Sequence, residues 1–141
     1  MKTLLAVVSL IATSVSLMAG CTSSRLNPYG LPYDGKNVMP PGPLTGCWVP
    51  EGVDTRPTLK FGTKPLYPIG QLMKGAPGAA EIRFSVAESG QVSVQNYETR
   101  DAVSFANHGA IALRDWEVLP ATKNGKTIAV NCSISFSFVV K

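Results

Sequence analysis

Apolar and polar residues alternate most clearly near the end of the chain. Every second residue from Ile128 to Val140 is apolar. Such a period of two predicts a β-strand with one buried face. We expect this long strand at or near an edge of its sheet. Its opposite, polar face carries Asn131, Ser133, Ser135 and Ser137.

Two further strands and one main helix precede it. Alternation over residues 80–86 and 91–97 predicts a hairpin, with Gly90 supplying the positive φ of its turn. Asp101 is expected to cap the following helix, and Pro120 and Asn124-Gly125 mark an extended exit and a turn. The apolar stripe of that helix consists of Phe105, Gly109, Ala112, Leu113 and Trp116.

These elements predict an α+β domain over residues 65–141. A three-stranded antiparallel sheet is packed by the one main helix. A short helical turn over Ile69–Lys74, ended by Gly75, is expected to come first.

The N-terminal part differs in kind. Residues 1–20 combine one early lysine, an apolar run and small residues, which predicts a secretory signal peptide. Residues 21–64 are rich in Pro and Gly and show no sustained period, so we expect a tether. Its last part, residues 47–61, contains Trp48 and Phe61 and is expected to pack partly on the domain.

The junction Met18-Ala19-Gly20-Cys21 resembles the lipobox of bacterial lipoproteins. The resemblance implies that Cys21 is acylated and becomes the first residue of the mature chain. Thr22 stands where an Asp would retain enterobacterial lipoproteins at the inner membrane, which favours the periplasmic face of the outer membrane. The alternative is an ordinary signal peptide with Cys21 as a plain thiol.

Cys47 and Cys132 remain once Cys21 is assigned to lipid. An oxidising periplasm permits a disulfide between them. The alternative is that Cys132 is a buried free thiol, since it falls on the apolar face of the last strand.

The order of these elements resembles the C-terminal domain of TonB, the energy transducer of Gram-negative envelopes. The matching features are Tyr67-Pro68, the Gly78 to Val92 hairpin, Leu113-Arg114-Asp115-Trp116, and Leu119-Pro120-Ala121 followed by Asn124-Gly125. The resemblance covers about residues 65–141. It implies capture of a receptor segment as an added strand. The transmembrane helix and long spacer of TonB have no counterpart, so energy transduction by this chain is not implied.

Catalytic and cofactor patterns are weak. The formal charge is +4 at pH 7 and falls to +3 without Lys2, with no basic cluster that would indicate nucleic-acid binding. The single histidine, His108, has no partner cluster, so neither a metal site nor a cofactor is predicted. The carboxylates form no pair singled out for acid–base chemistry, and we expect no enzyme.

Three functions remain. The first is an outer-membrane lipoprotein that binds proteins, such as a TonB-dependent receptor segment, through a strand bearing Asn131, Ser133, Ser135 and Ser137. Its edge would be closed if residues 47–61 or a second copy in a homodimer covered it. The second is a structural lipoprotein subunit of a secretion or pilus assembly. The third is a decoy that competes with TonB for receptors.

Overall fold

The computed structural model describes Leu26 and residues 36–141. The predicted signal peptide of residues 1–20, the lipidation site Cys21 and the rest of the chain before Lys36 lie outside the described residues. Among the residues described, neither helix has the length and apolar character needed to cross a lipid bilayer.

Nine strands and two helices follow one another along the described chain. They are β1 (Gly42–Pro43), β2 (Cys47–Trp48), β3 (Thr58–Phe61), α1 (Ile69–Met73), β4 (Gly78–Val86), β5 (Val92–Glu98), α2 (Val103–Leu113), β6 (Glu117–Leu119), β7 (Ala121–Lys123), β8 (Lys126–Ile128) and β9 (Val130–Phe138).

The main sheet is antiparallel and has the order β2-β9-β4-β5. The predicted α+β class, with an antiparallel sheet and one main helix, is confirmed, but the sheet has a fourth strand. Strand β2 was not predicted because two residues are too short to show a period of two. The smaller sheets β1-β3-β6 and β7-β8 complete the fold.

The core lies between α2 and the inner face of this sheet. Phe84 and Ile82 of β4 and Leu113 of α2 are almost completely buried. Gly109 lets the helix approach closely, because a Cβ there would stand about 3.1 Å from Ile82 and Phe136 side-chain atoms. The whole predicted helical stripe is buried.

One local expectation is wrong. Asp101 does not cap α2, whose N-cap is Ala102 without a side-chain hydrogen bond. The Oδ2 atom of Asp101 instead accepts a hydrogen bond from the Ala79 N–H at 2.8 Å, at the start of β4. The carboxylate therefore joins helix and sheet.

The segment before residue 65 packs on the domain as three short strands. Strand β3 pairs with β6, and β1 pairs with β3. The Trp116 Nε1–H donates to the Thr63 carbonyl at 3.1 Å, so the end of α2 is bonded to this segment. Residues 38–64 of the predicted tether thus form strands and hydrogen bonds that pack on the domain.

Candidate functional site

Strand β9 has β2 on one side and β4 on the other. It pairs with β4 over all nine residues, from Gly78↔Phe138 to Val86↔Val130, without a register shift. In an antiparallel sheet both backbone groups of a residue point to the same neighbour, and successive residues alternate. The Ser133 N–H donates to the Gly46 carbonyl at 2.8 Å. The backbone groups of Ser135 and Ser137 therefore point to the same side as those of Ser133, away from β4.

The first half of this edge is covered by the chain itself. Cys47 lies opposite Cys132 and is joined to it by a disulfide, and Trp48 lies opposite Asn131. Since β2 ends there and only Gly46 continues the hydrogen bonding, the cover stops at Ser133.

Among the described residues, the second half of the edge has no paired strand. In the part of the chain that the structure describes, no strand pairs with residues 135–138 on the side away from β4. The four predicted contact residues are thus divided. Asn131 and Ser133 lie beside the segment Gly46–Trp48, and Ser135 and Ser137 lie beyond it. Ser135 and Ser137 are exposed to solvent.

A cleft of about 570 Å³ runs beside the open half. One wall is the end of β9, from Ile134 to Phe138, together with Val139. The other wall consists of Asn37, Met39, Lys64, Pro65, Leu66 and Tyr67. A second cavity of about 430 Å³ shares Met39, Ile134 and Ser135 with it, so the depression continues towards Gly46. Sequence reasoning missed the far wall, because it assigned Asn37, Met39 and Lys64 to a tether.

Hydrogen bonds hold the far wall together and link it to α2. The Lys64 N–H donates to the Asn37 carbonyl at 2.7 Å, and the Met39 N–H donates to the Gly62 carbonyl at 2.9 Å. His108 Nδ1 lies 2.8 Å from the Leu66 carbonyl oxygen. The cleft is therefore preformed, and His108 positions its wall.

Tyr67 anchors the same wall in the aromatic core. Its ring meets Phe105 and Phe138 edge-on, with centroids 5.8 and 5.6 Å apart. Its hydroxyl donates to the Ala76 carbonyl at 2.5 Å, beyond α1. Tyr67 therefore fixes the distance between the cleft wall and the end of β9.

Charge and shape both suit an extended peptide. The charged side chains that line the cleft are those of Lys64 and Lys141, and no carboxylate side chain is among the described lining residues. A strand laid against β9 would point alternate side chains towards the apolar floor near Phe136. The others would lie beside Ser135 and Ser137.

The opposite edge of the sheet, β5, is irregular between Val94 and Tyr97. Arg83 and Phe84 of β4 face Asn96 and Val94, so Gln95 is an extra residue that forms a bulge. The Asn96 Oδ1 accepts a hydrogen bond from the Tyr97 N–H at 2.7 Å. A backbone donor of this edge is thereby satisfied locally.

A larger depression of about 760 Å³ lies at the end of this edge and contains several carboxylates. All three have a partner within the protein. Asp101 accepts a hydrogen bond from the Ala79 N–H, and Glu98 and Glu81 lie 3.1 and 4.0 Å from the Arg83 guanidinium. Among the described residues, no group of three or more His, Cys, Asp or Glu is arranged to hold a metal ion.

Comparison with known proteins supports the fold. A solution NMR structure of the Pseudomonas aeruginosa TonB C-terminal domain is similar to this chain, with a TM-score of 0.53 and 19% identity. The match covers 73% of this chain and 97% of that domain. The resemblance to the TonB C-terminal domain is confirmed at the level of the fold. The sequence matches no protein-family model and no curated protein.

Proposed function

We propose that this protein is a periplasmic binding module, lipid-anchored to the outer membrane through Cys21, that captures an extended protein segment. The segment adds as a strand to β9 beside Ser135 and Ser137. The observation that supports this is the half of β9 that no other described strand pairs with, next to a preformed cleft. Backbone hydrogen bonds would supply affinity, and the cleft would select alternate side chains.

The proposed partner is an envelope protein, such as the periplasmic segment of a TonB-dependent receptor. Lys64 and Lys141 favour a segment that carries a carboxylate. The disulfide-linked β2 limits the added strand to the residues beyond Ser133. The part of β9 beyond Ser133 ends at Phe138. A short segment of about five residues, at about 3.3 Å per residue, spans that length.

The test uses the full-length chain in cells with a photo-crosslinking residue at Ser135. We expect a crosslink to an envelope protein, recovered by mass spectrometry. The matched control places the same residue at Gln95, on the bulged edge of β5, where no crosslink is expected. A crosslink from position 135 into another copy of this chain would contradict the proposal.

Ser135→Pro should abolish the crosslinked product when the crosslinking residue is at Ser137. Proline removes the outward N–H, which β4 does not use, so the sheet itself is retained. Gln95→Pro should leave the product unchanged. Recovery of a multi-subunit secretion or pilus complex that persists in Ser135→Pro would instead favour a structural subunit.

A further inference from the structure

Helix α1 presents its apolar side chains to solvent. Ile69, Leu72 and Met73 are 69%, 43% and 83% exposed, and no residue of α1 is buried. Positions i, i+3 and i+4 share one face of a helix. The polar Gln71 is less exposed than these three. A surface helix usually turns its apolar face to the core, whereas α1 turns its apolar face to solvent.

The sequence on both sides of this face is basic. From Thr55 to Ala80 the chain contains no Asp or Glu. The same stretch contains Arg56, Lys60, Lys64 and Lys74. Lys74 is the C-cap residue of α1 and is exposed.

We propose that the apolar face of α1 docks on an anionic lipid surface. Apolar side chains that enter the boundary between headgroups and acyl chains, next to lysines that attract anionic headgroups, are the features of interfacial membrane binding. The inference does not depend on strand capture by β9.

Size and charge favour lipid over a second copy of the chain. Three side chains fall short of the roughly 800 Å² per partner that a stable protein interface buries. A second copy would also bring the same basic stretch against the first. A membrane surface does not require so large a buried area, because the proposed acyl group on Cys21 would keep the domain close to it.

The experiment measures how deeply α1 enters a vesicle. Full-length Met73→Trp and Leu119→Trp chains, both with Trp48→Phe, are mixed with vesicles whose acyl chains carry bromine, a fluorescence quencher. Leu119 is the matched control because it is 50% exposed and lies next to Val118, whose carbonyl is close to Gly90. Gly90 belongs to the β4–β5 turn, at the far end of β4 from α1.

We expect the Met73→Trp chain to lose most of the fluorescence added at that position, and its emission to shift to the blue, on vesicles of phosphatidylcholine and phosphatidylglycerol. The loss should be smaller on phosphatidylcholine alone and should be reversed by salt. Adding Ile69→Ser and Leu72→Ser should remove it. The Leu119→Trp chain should be unaffected.

Two outcomes would overturn the proposal. Equal quenching of the Met73→Trp and Leu119→Trp chains would show no specific entry of α1. A dimer in sedimentation without vesicles, lost in Met73→Ser, would assign the face to a second copy. Because neither readout involves β9, they separate this proposal from strand capture.

Discussion

The outer sides of β5 and β9 differ in how readily each could pair with a further strand. Strand β5 has a bulge at Gln95 and a backbone donor satisfied by Asn96. Strand β9 is regular over nine residues, has no charged side chain, and beyond Ser133 has no second partner strand among the described residues. Bulges and charges are common means by which proteins prevent unwanted pairing at sheet edges. An edge without them, beside a preformed cleft, is suited to a partner.

A disulfide bond determines how much of β9 is covered. The segment Gly46–Trp48 pairs only with the first part of the edge and is fixed there by the Cys47–Cys132 disulfide. Without this bond, two residues of pairing would hold the segment weakly. The disulfide therefore sets where the open edge begins.

The largest effect is expected from removing that bond. Cys47→Ala with Cys132→Ala should lower the free energy of unfolding by about 4.5 kcal/mol, from the entropy of closing a long loop. The bond spans 85 residues. Chemical denaturation measures the change, and reduced wild type is the matched control. A loss below about 1 kcal/mol in both would mean that the unfolded chain gains little freedom.

Much of the domain follows from its sequence, since α2, β4 and β9 show the periods that burial requires. Strand β5 shows the alternation too, although none of its residues is buried. The hairpin turn at Gly90 and the Asn124-Gly125 turn have the expected positive φ values. The three strands of residues 42–61 could not be predicted, because two to four residues carry no period and their pairing is decided by tertiary contacts. The division of β9 depends on that pairing. Sequence could therefore indicate Ser135 but not separate it from Ser133.

A medium effect is expected from making β5 resemble β9. Deleting Gln95 restores one-to-one pairing with β4 and leaves a straight, open edge. Self-association should strengthen by on the order of 3 kcal/mol, from about three new backbone hydrogen bonds. Sedimentation at several concentrations measures it. Gln95→Ala keeps the bulge and should behave as wild type. Unchanged association after the deletion would show that the bulge does not protect this edge.

The smallest effect is expected from removing the hydrogen-bond partner of the Tyr97 N–H. Asn96→Ala removes the side-chain oxygen that accepts from the Tyr97 N–H. A hydrogen bond contributes about 1 kcal/mol net, so exchange of the Tyr97 amide with deuterium should rise about fivefold. Nuclear magnetic resonance follows it, and Ser93→Ala, on the same strand, is the control. An amide that exchanges as slowly as before would mean that another group satisfies it, and β5 would then be closed by its bulge alone.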